Sequence, residues 1–234
     1  GIGATLRQTE AGPLLRVVGD LETEAAKALA ILAESPLKPQ LAALLALDIA
    51  GAVAVDLDLR IPLSRDKTQE DYRVEVKPLA AALIIPGTDF AIEDIQGAIR
   101  YDRRHGLRSD QLTGTLWNQP LKGAIATDDS HIRFTTDGVL DAVGLKTLLG
   151  SYAGYAEGKT AVAAQLLVPR SKGPSKLTLT SDLKGLALTL PEPFAKSAKS
   201  ALTTRLAMDI AEGSLVFRGA AENKLALAAR FDEG

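Results

Sequence analysis

Residues 53–63 read VAVDLDLRIPL. Val53, Val55, Leu57, Leu59 and Ile61 alternate with Ala54, Asp56, Asp58 and Arg60, and successive side chains of a strand point to opposite faces. The stretch is therefore a strand with one oily side and one wet side. TAVAAQLLVPR at 160–170 repeats the pattern, and Pro62 and Pro169 stop the two strands at matching points. A chain built this way must cover its oily side or use it.

The recurrence extends well beyond one strand. A shift of 107 residues lays Gly51 on Gly158, Val55 on Val162, Leu59 on Leu166 and helical Leu41 on Leu148. A shift of 105 lays YRVEVKPLAAALIIP on LTLTSDLKGLALTLP, pairing Val74 with Leu179, Leu83 with Leu188, Ile85 with Leu190 and Pro86 with Pro191. The repeated unit is a short helix followed by antiparallel strands. Residues 1–50 read as the end of a preceding repeat plus a helical segment, 51–138 as a first β-meander, 139–157 as a helical junction and 158–234 as a second, truncated meander.

Period 2 and turn chemistry give strands over 52–61, 72–85, 95–102, 111–118, 121–127 and 131–136, separated by SRDKTQED, IPGTD, DRRHG, NQP, DDS and TDG. Helices are expected over 21–34, with Asp20 as N-cap, over 40–47, and near 139–153. The fold class is mainly β with short helices (α+β): a repeated antiparallel meander forming a curved, groove-like sheet or half-barrel, with helices at the repeat junctions.

Composition narrows the function. Hydrophobic residues make up 46% of the 234 and aromatics 4%, so aliphatic side chains pack whatever is buried. The 27 basic and 29 acidic residues give a net charge of -2 without long runs of one sign, which argues against nucleic acid as partner. With no cysteine there are no disulfides or thiolate sites. The most apolar run, Leu41 to Val55, contains Asp48 and Gly51 and is too broken to span a bilayer. The chain opens on Gly1 and its one methionine is Met208, which reads as a piece of a longer protein, so that any anchor or targeting segment would lie outside it.

Three destinations exist for the oily side: a second sheet about 10 Å away, helices laid over it, or an open trough filled by something other than protein. An aliphatic trough without polar anchors suits acyl chains.

GDLETEAAKALAILAESPL, IRYDRRHGLRSDQLTGTLWNQPLKGAIAT and LTLTSDLKGLALTLPEPFAKSA resemble the AsmA-like family, in particular its YhdP branch. The resemblance covers nearly the whole chain. It implies kinship with TamB and chorein-type bridge proteins: grooved β-sheets in the periplasm of Gram-negative bacteria, anchored in the inner membrane, moving phospholipid toward the outer membrane. The expected partners are then phospholipid or another acyl-chain lipid and neighbouring repeats of the same parent chain. Val53, Val55, Leu57, Leu59, Val74, Val76, Leu83, Ile85, Leu177, Leu179, Leu186, Leu188 and Leu190 are the expected lining, and Arg103 and Arg104 a weaker headgroup contact. The competing reading is a scaffold module with a closed core and no lipid.

Signals for chemistry are sparse. Asp102, His105 and Ser109 supply the ingredients of a nucleophilic triad, but they crowd one hairpin turn without an oxyanion hole. His131 with Asp128 and Asp129 lacks metal-ligand spacing, and Asp56 with Asp58 reads as a wet face beside Arg60. Arg100, Arg103, Arg104 and Arg108 make a basic turn. Trp117 is either a groove-edge or a packing residue. No cofactor motif is present, and no enzyme activity is expected.

Overall fold

The computed structural model describes residues 1–34, 38, 48–64, 70–84, 91–192, 195–211, 214–222 and 225–232. The expected helix over 40–47 and lining residue Ile85 lie outside them. Two strands, β1 (Ile2–Thr9) and β2 (Gly12–Glu24), precede a nine-residue helix, α1 (Ala25–Ala33). Then come β3 (Asp48–Pro62), β4 (Asp71–Ile84), β5 (Ala91–Gln96), β6 (Ile99–Asp102), β7 (Gly106–Leu116), β8 (Gln119–Thr127) and β9 (His131–Leu140). Helix α2 (Ala142–Leu149) and a 3-10 turn (Gly150–Tyr155) lead to β10 (Ala156–Gly158), β11 (Thr160–Pro169), β12 (Ser175–Ser181) and β13 (Leu186–Leu188). The chain finishes with β14 (Thr204–Ala211), β15 (Ser214–Ala221) and β16 (Leu225–Asp232).

Fourteen strands form one antiparallel sheet in the order β1-β2-β3-β4-β5-β7-β8-β9-β11-β12-β14-β15-β16, with β6 pairing β4 and β7. Its first and last strands do not pair, so it is not closed as a barrel. β10 and β13 make a separate two-stranded sheet. Two compact units divide the chain: unit 1 is Gly1–Gly114 with Ala124–Asp129, and unit 2 is Thr115–Gly123 with Ser130–Gly234.

The repeat is written into the hydrogen-bond register. In unit 1, Leu57 pairs with Val74, Leu59 with Tyr72, Gly51 with Ala81 and Ile49 with Leu83. The same ladder in unit 2 pairs Ala164 with Leu179, Leu166 with Leu177, Gly158 with Leu186 and Ala156 with Leu188. Gly51 and Gly158 share a left-handed backbone, at φ 93° and 104°. Beside this point unit 1 slips its register at Ala52/Val53, whereas unit 2 parts β10 and β13 from β11 and β12. A bulge tolerated once has become a break.

The helices repeat too, with a different offset. Thr23 pairs with Val53 and Leu14 with Pro62; Leu140 pairs with Thr160 and His131 with Pro169. β2 and α1 therefore match β9 and α2 at a shift of 117, which puts Glu24 in the place of Asp141. Asp20 is not the cap, because Leu21 and Thr23 continue the alternation and the strand runs on to Glu24. Glu24 makes no side-chain cap bond. Asp141 does, accepting from the N–H groups of Val143 at 3.0 Å and Gly144 at 3.2 Å, while Gln119 Nε2 donates to its other oxygen at 2.7 Å. Asp141→Ala is expected to cost about 1–2 kcal/mol, read as a lower urea midpoint.

Trp117 and Asn118 have φ 52° and 60°, the two left-handed residues of a tight hairpin between β7 and β8. That turn brings the Trp117 ring against Gly144, where an added Cβ would strike the indole. Trp117 is thus a packing residue at the start of α2. Below the helix, Leu145, Ala156 and Leu186 form a buried core with Leu140, Leu183 and Leu188 around it.

Candidate functional site

In unit 1 the register lines up Ile2, Gly19, Leu57, Val74, Tyr101 and Leu107 as one row across six strands, on one face. A second row on that face holds Leu21, Val55, Val76 and Ile99. In unit 2 the corresponding face carries Phe134, Leu166, Leu177, Met208, Phe217 and Ala229, again across six strands. At about 4.8 Å per strand each row is about 24 Å long.

The opposite face is ionic. Arg16 holds Asp58 through two bonds of 3.0 and 2.8 Å. Glu75 pairs with Lys77 at 2.9 Å and Arg100 at 2.6 Å, and in unit 2 Asp209 pairs with Arg218 at 2.5 Å. Hydrogen bonding from Arg16 holds the Asp58 carboxyl below its ordinary range, and bonds from Lys77 and Arg100 do the same for Glu75. Burial works to raise Asp102, but hydrogen bonds from His105 and Arg104 outweigh it and leave Asp102 lowered. The stability these carboxylates add is present above the unfolded carboxylate range, about pH 4, and is lost as pH falls through the lower native values. The urea midpoint should therefore drop between pH 5 and pH 3, and Asp58→Asn should shrink that drop.

The aliphatic face is incompletely covered. Although 46% of the chain is hydrophobic, the buried hydrophobic residues among those described number thirteen. Ile2 and Leu6 are 58% and 63% exposed. Leu57, Leu59, Val76 and Leu83 are partly exposed, as are Leu177 and Leu179 with Leu166, Leu206, Met208 and Phe217. Val53, Val55 and Val74 are buried at 4%, 9% and 7%, and α1 packs on β2 and β3. Leu186, at 3%, belongs to the core under α2 with Leu188 beside it, on the small sheet rather than the main one. Leu190 follows β13, partly exposed.

Leu166, Leu206, Met208 and Phe217 were not among the expected lining residues. The alternation in TRLAMDI and SLVFRG was the signal that marks the last three.

The polar candidates do not converge. Ser109 lies on the face of Leu107, 2% exposed, and its hydroxyl donates to Ala98 O at 2.7 Å across the gap between β5 and β6. Asp102 and His105, 2.8 Å apart, sit in the β6–β7 turn, where Asp102 also accepts from the backbone N–H groups of Arg104 and His105. Asp102 alternates onto the ionic face, away from Ser109. Arg103 donates to Glu70 O at 2.7 Å and Arg108 pairs with Asp102 at 2.9 Å. Arg104 is exposed, and its guanidinium has no ion pair among the described residues. Among the described residues no three His, Cys, Asp or Glu side chains gather as a metal requires, and no helix is long and apolar enough to cross a membrane.

No curated protein and no solved structure matches the chain. The model of the YhdP protein family matches it over residues 1–234, and the chain belongs to that family.

Proposed function

We propose that this chain is a stretch of a lipid-transfer surface in the bacterial envelope, whose aliphatic face shields phospholipid acyl chains as they pass between inner and outer membrane. Membership in the YhdP family supports a place in the envelope. The periplasm, an inner-membrane anchor on the parent protein and a contribution to the outer-membrane barrier are parts of the same proposal, as is the absence of an enzymatic role.

One observation carries the reading: a six-strand row of partly exposed Phe, Leu, Met and Ala, backed by an ion-paired opposite face. Covering about 200 Å² of apolar surface contributes about 5 kcal/mol. That attraction has no direction, so an acyl chain is held out of water without being fixed at one place. The closed core of Leu145, Ala156 and Leu186 favours a second reading, a scaffold module without lipid.

The purified chain, incubated with vesicles of phosphatidylethanolamine and phosphatidylglycerol and re-isolated, is expected to retain phospholipid detectable by native mass spectrometry. Repeated absence of bound lipid in a folded sample leaves the scaffold reading.

A further inference from the structure

The two units carry the same ladder, and at three equivalent positions they differ in how open its aliphatic face is. Tyr72 in unit 1 and Leu177 in unit 2 hold equivalent positions, opposite Leu59 and Leu166. Val74 corresponds to Leu179, and Tyr101 to Leu206, each pair being neighbours in its ladder. All three unit 2 residues are partly exposed. Their unit 1 counterparts are buried: Tyr72 5%, Val74 7% and Tyr101 8%, joined by Leu107 at 2% and Ile125 at 5%. Unit 1 therefore has a sealed stretch at β4, β6 and β7, while its row opens toward Ile2 at 58%.

Two of the five residues in this stretch are aromatic, and Tyr72 is held in place. The chain has only four tyrosines, and two of them stand here. The Tyr72 hydroxyl donates to the Glu70 carboxylate, and Arg103 in the β6–β7 turn pairs with the same carboxylate at 3.6 Å while donating to Glu70 O. This ties the start of β4 to the neighbouring turn and anchors the Tyr72 hydroxyl at that end of the strand. Burial, with the bond to Glu70, raises the Tyr72 pKa, so the hydroxyl stays a donor throughout the neutral range.

We infer that Tyr72 and Tyr101 close the acyl-chain surface of unit 1 at β4 to β7, so that lipid lodges along β11 to β15 of unit 2 and does not lodge at β4 to β7 of unit 1 while the rings stay in place. The inference rests on the lipid-binding reading above. It makes the two periods of one repeat unequal: one is a seat and the other is closed. Tyr101 is a positioning residue in this scheme, filling space that Leu206 leaves open at the same place in unit 2.

The test uses the full chain with vesicles of phosphatidylethanolamine and phosphatidylglycerol containing a phospholipid that carries a diazirine in its acyl chain. After irradiation, peptides covering 160–169 and 204–211 of the wild-type chain should be labelled and those covering 99–107 should not. Tyr101→Leu should bring label to 99–107 and raise bound phospholipid to about twice the wild-type count, one seat in each unit. Tyr101→Phe, which keeps the ring, should match wild type. Label on 99–107 of the wild-type chain overturns the closure, and so does a folded Tyr101→Leu chain that binds no more lipid. Absence of label anywhere instead removes the lipid-binding reading. Since the wild-type pattern is decisive by itself, a Tyr101→Leu chain that fails to fold does not shelter the idea.

Discussion

Gly158→Val is expected to lower the stability of the chain by about 2–4 kcal/mol, a large part of what a domain of this size has. Gly158 lies at φ 104°, where a β-branched side chain is strained by about 1–3 kcal/mol. An added Cβ would also collide with the carbonyl oxygen of Gly185, which is backbone and has no rotamer by which to yield. Gly185 is constrained in turn: at φ 92° its own added Cβ would collide with Lys159 O, its N–H donates to Ala198 O at 2.8 Å, and its carbonyl accepts from Lys159 N at 3.2 Å. Pushing the two strands apart therefore breaks a bond as well as straining a residue, adding about 1 kcal/mol. Urea unfolding measures the loss. Gly154→Ala is the control, since nothing lies within 4 Å of its added Cβ and its φ is not left-handed, and it should leave the midpoint unchanged. If Gly158→Val proves as harmless as Gly154→Ala, the close passage of β10 and β13 is not what holds this corner.

The buried hydroxyl and ammonium groups show why such corners matter. Where the ladder parts in unit 2, Ser181 Oγ donates to Ala161 O at 2.7 Å, accepts from Leu183 N at 3.0 Å and lies 3.1 Å from Thr160 Oγ1, itself 2% exposed. Lys196, 8% exposed, donates to Leu183 O and Leu186 O at 2.7 Å and to Ser197 O at 3.0 Å. Each takes up backbone groups that a continuous strand would have satisfied. A repeat that breaks its own strand keeps its stability only by patching the ends.

Much of this was legible in the residues. Alternation located the long strands, and Pro62 and Pro169 marked their ends because proline gives the ladder no N–H. The shifts of 107 and 105 survive in the register, pair by pair. The helix start was misplaced because LETE satisfies both a strand's alternation and the opening turn of a helix, and long-range pairing with Val53 and Val55 decided for the strand. Leu186 read as groove lining because LAL alternates like its neighbours. Its burial follows from the break at Lys159 and the helix capped by Asp141, neither of which a local pattern encodes. Tyr72 and Tyr101 gave no warning of a seal, since each alone looks like an ordinary strand aromatic; only the register puts them beside Val74.

Leu177→Asp should reduce the phospholipid bound by the chain by about 100-fold, the largest functional effect expected of a single change here. Leu177 stands mid-row between Leu166 and Met208, and those neighbours continue to Phe134 on one side and Phe217 on the other. An acyl chain lying across the row must pass over it. A carboxylate facing hydrocarbon costs about 2.5–3.5 kcal/mol on insertion scales, close to two orders of magnitude in affinity. Leu177 is only partly exposed, so the fold loses some apolar contact, but the new charge reaches water when lipid is absent. Gln165→Asp places the same carboxylate on the neighbouring strand, one residue from Leu166 and on the ionic face, and should leave lipid binding at the wild-type level. Native mass spectrometry after vesicle incubation gives the lipid count, and thermal melting shows that both chains are folded. Equal lipid on the two folded variants would mean that the acyl chains do not touch this face, and the two-sided sheet would then have to be explained by protein packed against it.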